Sequence, residues 1–358
     1  MKRRRILLVD LGTCFGGVET YLKDVVRFLQ GEAEIFVLCL NPELIESLRE
    51  TDARVLSIRF ATLWGKPATI LLSIAMLPYL RVFCGIDTVW INGYLEAALL
   101  PLARLLGCRA IATRHLTMDI EAGKATELWK RRFACFLYRI LVHSANRVIC
   151  VSKAVAMDLS VSSRKLVVIP NWVHSLPKLS SERSSKGKPL RLLFVGRLEN
   201  HKGASLILEA MHELNNHSLC LTIVGEGKCR ADLERQATGL DVTFAGFQRD
   251  TSIAYRAADL FINPTRGPEG LPLVSLEAMS YGLPCILSDL QVHKEITSNG
   301  ACASLFRSGD SHDLCAKIQM FLSSPQLLAD LGRLGRDMVA TRHSAAAAKE
   351  RYVEELSL

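Results

Sequence analysis

The sequence predicts an α/β protein of two doubly wound domains, and three observations carry that prediction. The chain has 358 residues, more than one domain usually holds. Short apolar, β-branched runs alternate with helical periodicity through both halves, the pattern of parallel strands covered by helices. Residues 171–189, rich in Ser, Lys and Pro and without periodicity, separate the two series. The expected division is an N-terminal Rossmann-like domain over 1–170, a linker over 171–189 and a C-terminal Rossmann-like domain over 190–340. A last helix over 341–358 could pack back on the first domain.

In chain order the first series places strands at Ile6–Asp10, Ile35–Leu40, Arg54–Ile58, Thr88–Asn92, Arg109–Thr113, Arg147–Val151 and Leu166–Pro170. The second places them at Leu190–Val195, Ser218–Val224, Val242–Phe244, Asp259–Asn263 and Pro284–Ser288. Open α/β sheets bind ligands beyond the carboxyl ends of their strands, so the residues just after each strand are where chemistry is sought. With two such domains facing each other, the site is expected in the cleft between them.

Composition narrows the class. With 49% hydrophobic and 22% charged residues the chain is neither disordered nor fibrous. Eleven cysteines, none in a Cys-x-x-Cys pair and most inside apolar runs, suit buried thiols in a reducing cytoplasm. The start, Met1 to Asp10, has an apolar stretch of four residues ended by Asp10, so it reads as a first strand rather than a signal peptide. The run Ile70 to Leu80 carries Pro78 and is too short to span a bilayer. A soluble or peripheral cytoplasmic protein is expected. Residues 1–178 hold 24 Lys+Arg against 15 Asp+Glu and the remainder 20 against 21, so the excess of positive charge is all N-terminal. It is either a solvated surface or a means of meeting an anionic membrane or a nucleic acid. No recognised nucleic-acid module accompanies it.

The strongest local signal is Asn263-Pro-Thr-Arg-Gly-Pro-Glu-Gly-Leu-Pro-Leu-Val-Ser-Leu-Glu-Ala-Met279, with Glu269 in a loop and Glu277 eight residues on. A helix beginning near Pro272 puts Glu277 about one and a half turns in, roughly 7–8 Å along the axis. One carboxylate then meets a sugar and the other a more distant hydroxyl pair, beside helix-start amides suited to phosphate. The plain alternative has Glu277 capping or salt-bridging within the helix and Glu269 in solvent. In Phe194-Val-Gly-Arg-Leu-Glu-Asn-His-Lys-Gly203, Arg197 and Lys202 follow the first C-terminal strand. They are either a solvated pair or the two cations that neutralise a diphosphate leaving group in place of a metal.

Three weaker signals lie at other strand ends. Gly16 and Gly17 form a turn between the first strand and an amphipathic helix, where backbone can approach a phosphate or sugar closely; Glu19 beside them stays open. The dinucleotide fingerprint is absent there. His115 ends Thr-Arg-His at the edge of its strand and is either structural or a sugar contact, and Arg114 could serve an acceptor. Gly225 and Gly227 flank Glu226 in a turn that a tight bend alone also explains. A metal-holding Asp-x-Asp is missing, Asp119-Ile-Glu121 being the nearest approach, as are zinc spacing and a Gly-x-Ser-x-Gly elbow. Neither metal nor cofactor is expected. In Trp129 to His143 the apolar residues 129, 133, 136, 137, 140 and 141 share one helical face, which either packs on the sheet or, with Lys130, Arg131, Arg132 and Arg139, docks on lipid headgroups.

Taken together, Glu269-x7-Glu277 and its continuation through Glu277-Ala-Met-Ser-Tyr-Gly-Leu-Pro284 resemble the retaining glycosyltransferases of the two-Rossmann GT-B fold, family 4 in particular, the glycosyl transferases group 1. The resemblance is most specific over 196–284, with support at 10–20 and 113–115; Pro272 stands where many members have Gly. It implies catalytic roles for Glu269, His115, Arg197 and Lys202. Glu269 would contact donor-sugar hydroxyls, Glu277 the ribose, Arg197 and Lys202 the pyrophosphate, and His115 the transferred sugar. Gly225 and Glu226 would lie at the base and ribose, and Gly16, Gly17, Gly270 and Leu271 complete the donor set. The function implied is retaining transfer of a hexose-type sugar from a nucleotide diphosphate donor, UDP favoured over GDP, to a glycan or lipid-linked acceptor in surface polysaccharide or lipopolysaccharide synthesis. The nucleotide sugar is a co-substrate, and an anionic membrane surface is a further partner for the basic N-terminal domain. A nucleotide-sugar epimerase of related fold and a non-catalytic nucleotide-sugar-binding protein are the alternatives. A paired-carboxylate glycosidase is more distant, having no use for a phosphate clamp.

Overall fold

The computed structural model describes residues 3–12, 17–58, 65–116, 128–159, 161–178, 189–215, 218–267 and 269–356. The chain divides into two compact units, Met1–Asn171 with Ala348–Leu358, and Trp172–Ala347. Each is built on its own parallel sheet flanked by helices, the α/β architecture that the alternating pattern predicts.

The first unit holds β1 (Arg4–Asp10), β2 (Ala33–Cys39), β3 (Arg54–Ser57), β4 (Thr88–Ile91), β5 (Arg109–Arg114), β6 (Arg147–Cys150) and β7 (Leu166–Val168) in the order β3-β2-β1-β4-β5-β6-β7, every pair parallel. The middles of its central strands are apolar because helices cover both faces: Ile6 to Val9 and Val89 to Ile91 are buried. The helices are α1 (Gly17–Leu29), α2 (Pro42–Leu48), α3 (Gly65–Phe83), α4 (Leu99–Leu105), α5 (Leu128–His143) and α6 (Lys153–Met157). Strand order reverses between β1 and β4, which makes the carboxyl ends at Asp10 and Asn92 the natural ligand edge.

A segment from beyond the second unit completes this core. Tyr352, fully buried, donates or accepts at 2.6 Å with Tyr21 and packs against Trp90 with ring centroids 5.8 Å apart. Its helix ends at carbonyls held by arginines: Arg4 donates to Leu356 O at 3.1 Å, and Arg109 to Leu356 O and Glu355 O at 2.8 Å each. Cations at a helix C-terminus satisfy its orphan carbonyls and oppose its dipole.

The second unit holds β8 (Leu190–Val195), β9 (Leu219–Val224), β10 (Val242–Gly246), β11 (Leu260–Asn263), β12 (Cys285–Ser288) and β13 (Ser304–Phe306) in the order β10-β9-β8-β11-β12-β13, again all parallel. Between them run α7 (Ala204–Leu214), α8 (Arg230–Gln236), α9 (Ser252–Ala257), α10 (Leu273–Ser280) and α11 (Gln291–Ile296), followed by α12 (Ser311–Ser323) and α13 (Pro325–Arg342); the last helix, α14 (Ala345–Leu356), belongs to the first unit from Ala348 on. The switch point lies between β8 and β11. Strand β13 escapes the sequence pattern because three residues at a sheet edge carry no periodicity.

The apolar face read on α5 does not pack on the sheet. Phe133 and Phe136 are each 60% exposed, and Leu137 and Ile140 lie outward beside exposed Arg132 and Arg139. The helix instead buries Tyr138 and Val142, with Tyr138 stacked on Tyr94 at 4.7 Å and the Arg114 guanidinium over the Tyr138 ring at 4.5 Å. Both the ring stack and the cation contact favour burying Tyr138. Among the described residues no helix is long and apolar enough to cross a membrane.

Candidate functional site

In the second unit the site grows from the turn after β8. Gly196 and Arg197 leave the strand, and a short 3-10 turn at Asn200–Lys202 ends in Gly203, whose φ of 73° only glycine adopts freely. A Cβ there would overlap the Pro264 carbonyl, so glycine also allows the loop after β11 to close on this turn. That loop is fastened by main-chain and side-chain bonds: Arg266 N donates to His201 O at 2.7 Å, Thr265 Oγ1 to the same carbonyl at 3.1 Å, and an Arg266 guanidinium nitrogen to Asn200 O at 2.9 Å. Ser288 Oγ at the end of β12 donates to Thr265 O at 2.7 Å.

The result brings Lys202 onto Glu269. The ammonium and carboxylate form an ion pair with side chains only 21% and 11% exposed. Arg197, in contrast, is 69% exposed and donates to Glu199 at 2.8 Å. His201 sits among these groups; burial lowers its pKa first, Lys202 next, while Glu199 and Glu269 act in the opposite sense. Two cations and two carboxylates are thus gathered around one loop.

Glu277 lies in α10, whose first residue is Leu273; Pro272 precedes the helix in an extended conformation. Its Oε2 accepts from the Tyr255 hydroxyl of α9 at 2.8 Å, and burial raises its pKa above the ordinary carboxylate range. Glu277 therefore does not salt-bridge within its helix among the described residues. Tyr255 stacks on Tyr281 with centroids 5.3 Å apart, which fixes the hydroxyl that serves Glu277. Gly270 and Leu271 are buried in the loop between the two carboxylates. Glu226 pairs with Arg230 four residues on, at the start of α8, and Gly225 has φ 138° with a Cβ position that would overlap the Gly196 carbonyl. The Gly225 turn is therefore a close crossing of two strand ends, not only a bend.

In the first unit His115 follows β5 and is half-buried. Its Nε2 meets Asn92 Oδ1 at 2.9 Å, and Asn92 Nδ2 donates to Asp10 Oδ2 at 2.9 Å. Tyr21 packs edge-on against the imidazole at 4.5 Å. Burial, with the Arg114 charge behind it, pushes the His115 pKa down to about 3, so the ring is neutral at physiological pH. Gly17 begins α1, with Glu19 buried beside Gly12. Gly16, Asp119 and Glu121 lie outside the described residues. Among the described residues no group of three or more His, Cys, Asp or Glu could hold a metal ion.

Asp10, Asn92 and Tyr255 are neighbours of the candidate residues that the motif reading passed over. The signal for the first two was available: a polar residue directly at the carboxyl end of an apolar strand on either side of the strand-order reversal. Tyr255 had none, because its role depends on α9 packing beside α10.

Comparison with known proteins places this geometry in context. The family model described as Glycosyltransferase Family 4 matches residues 15–175, and the one described as Glycosyl transferases group 1 matches residues 189–324. The chain is 26% identical over 263 residues to the sulfoquinovosyl transferase of Arabidopsis thaliana, covering 68% of this chain and 51% of that protein. It is 33% identical over 171 residues to the phosphatidyl-myo-inositol mannosyltransferase of Mycobacterium leprae, covering 45% of each. It is 30% identical over 223 residues to the UDP-Gal:alpha-D-GlcNAc-diphosphoundecaprenol alpha-1,3-galactosyltransferase of Escherichia coli, covering 55% of this chain and 56% of that one. The chain spans about half the length of the curated relatives it matches. Among solved structures, HepE of Anabaena in complex with UDP and glucose superposes with a TM-score of 0.84 at 19% identity, covering 99% of this chain and 100% of that one. Sucrose-phosphate synthase of Thermosynechococcus elongatus gives 0.80 at 18%, covering 99% and 98%.

Proposed function

We propose that this chain, which belongs to the group 1 glycosyltransferases of family 4 and has their GT-B fold, transfers a hexose-type sugar from a nucleotide diphosphate donor with retention of configuration and without a metal. The observation that carries the proposal is the Lys202–Glu269 pair at the β8/β11 switch point. A largely buried ion pair of this kind gains little net stability, because desolvating both charges offsets their attraction. Its components are better used on a ligand. A diphosphate arriving at the turn after β8 competes for Lys202 and recruits Arg197 from its exposed contact with Glu199, and Glu269 is released to accept hydrogen bonds from sugar hydroxyls. Glu277, held by Tyr255, takes the ribose.

In the reaction the acceptor hydroxyl approaches the anomeric carbon on the face from which the diphosphate departs. The bond to the phosphate oxygen breaks, the new glycosidic bond forms, and the leaving oxygen takes the acceptor's proton. Lys202 and Arg197 stabilise the charge that develops on that oxygen, so no protein nucleophile is needed. His115 contacts the transferred sugar. UDP is the favoured nucleotide; HepE, the structural neighbour, is described in complex with UDP and glucose. The Escherichia coli relative, whose name gives a UDP-linked donor and a diphosphoundecaprenol acceptor, supports a lipid-linked acceptor in surface polysaccharide synthesis.

Such an acceptor fits a cytoplasmic enzyme held on an anionic membrane, and the outward Phe133, Phe136, Leu137 and Ile140 beside Arg132 and Arg139 suit that surface. Salt-sensitive flotation with phosphatidylglycerol vesicles that is lost in Phe133→Ser/Phe136→Ser supports the docking; equal flotation of the double variant removes it.

A thermal-shift screen of nucleotide sugars tests the donor, since a ligand that binds only the folded chain raises its Tm. A UDP-sugar that raises Tm in the wild type and fails to do so in Lys202→Ala supports the reading. Product NMR then reports the anomeric configuration, and inversion would overturn the mechanism.

A further inference from the structure

Among the buried polar groups of the first unit, one set forms a directed chain. Asp10, at the end of β1, receives an N–H at each carboxylate oxygen: Gly12 N at Oδ1, 2.8 Å, and Asn92 Nδ2 at Oδ2, 2.9 Å. Both oxygens are used as acceptors; burial raises the pKa of this carboxyl, and the bonds from Asn92 and Gly12 act against that to favour the ionised form. Asn92 Nδ2 also donates to Val18 O in the first turn of α1 at 3.4 Å. Both amide hydrogens of Asn92 therefore have acceptors that cannot donate back, one carboxylate and one carbonyl. Rotating the amide by half a turn would bring its oxygen against those two oxygens. The orientation of Asn92 is fixed from behind, and its Oδ1 must face His115.

A carbonyl oxygen only accepts, so the imidazole nitrogen facing it at 2.9 Å must carry the hydrogen. We infer that Asp10 and Asn92 are positioning residues that lock neutral His115 in the tautomer protonated at Nε2, leaving Nδ1 as a bare acceptor for a hydroxyl of the donor sugar. The half of this statement that concerns the sugar rests on the proposed transfer reaction; the tautomer itself does not. Tyr21 completes the device. Its ring stands edge-on to the imidazole with an interplanar angle of 82°, and its hydroxyl is tied to Thr113 Oγ1 at 3.3 Å and to Tyr352 at 2.6 Å, so the plane of His115 is held as well as its proton. The lock converts a residue that is ambiguous between donor and acceptor into one with a single face to offer, which is what selects a hydroxyl donor over a carbonyl or phosphate oxygen.

The experiment is long-range proton–nitrogen correlation NMR on the full chain labelled with nitrogen-15 histidine, with the His115 signals assigned by their loss in His115→Gln. The expected wild-type pattern is a protonated Nε2 and an unprotonated Nδ1. A wild-type His115 carrying its proton on Nδ1 overturns the inference without any further variant. In Asn92→Ala, which removes the acceptor, and in Asp10→Asn, which lets the Asn92 amide turn over, both tautomers become populated; His115 unchanged in both folded variants overturns the lock. Steady-state kinetics on the same proteins separate the two halves. A drop in kcat of roughly tenfold, the loss of one neutral hydrogen bond, accompanying the tautomer change supports the acceptor role at the sugar. A tautomer change with kcat and donor KM unaltered upholds the lock and refutes His115 as a sugar contact.

Discussion

In the second unit Lys202 and Glu269 neutralise each other and Arg197 leans on Glu199, whereas in the first unit a run of hydrogen bonds leads from half-buried His115 through buried Asn92 to the buried Asp10 carboxyl. The first arrangement consists of ions that can exchange partners, and it suits a ligand that arrives charged and leaves more so. The second cannot exchange without exposing an unsatisfied buried group, and it suits orientation. The difference between the two sites is therefore one of currency: charge on one side, direction of a hydrogen bond on the other.

That contrast can be broken most severely at the ion pair. Lys202→Ala and Glu269→Ala are each expected to lower kcat by roughly a hundred- to a thousandfold, with circular dichroism unchanged; transfer at the wild-type rate by either purified variant would dissolve the charge-based half of the comparison. Next comes Gly225→Ala, where a left-handed φ and the Gly196 carbonyl both exclude a side chain. A loss of about 3 kcal/mol in urea unfolding is expected, and a neutral substitution would show that the strand-end crossing is loose.

Smaller effects sharpen the picture. Tyr255→Phe removes the hydroxyl that holds Glu277 and is expected to raise donor KM about tenfold with kcat nearly unchanged, the signature of lost ground-state binding. A kcat-only effect would instead assign Glu277 to the transition state. The mildest test concerns acid. His293 is fully buried and its pKa is pushed down to about 4, so between that value and the ordinary histidine range the unfolded chain binds a proton that the folded chain refuses. Its contribution makes the protein lose stability as pH falls from about 6.5 toward 4. His293→Gln keeps a donor for the Ser288 carbonyl and should flatten this part of the urea-midpoint profile relative to wild type; parallel profiles would show that His293 titrates normally.

How much of this was legible beforehand follows the range of the interactions. Strands β1 and β8 are long apolar runs ended by polar or glycine residues, and their positions come straight from periodicity; β13 is too short to leave one. Arg197, Lys202 and Glu269 were readable because each sits a few residues past a strand end, and Glu277 because it follows Glu269 at a spacing of eight. That Lys202 meets Glu269 while Arg197 meets Glu199 was not, since it depends on the loop after β11 closing on Gly203. The direction of the apolar face of α5 stayed open for a related reason. Apolar spacing says that a face exists, but only the competing burial of Tyr138 decides which way the helix turns. The chain through Asn92 joins residues 82 positions and then 23 positions apart, a separation at which no motif speaks.

The placement of Tyr352 beneath Tyr21 has an outcome for synthesis on the ribosome. The part of the polypeptide that emerges first lacks a piece of its own interior until everything coding for the other sheet has been translated. During that interval the groups that orient His115 sit in an incomplete nucleus, and a fragment ending at residue 171 would inherit the same gap permanently.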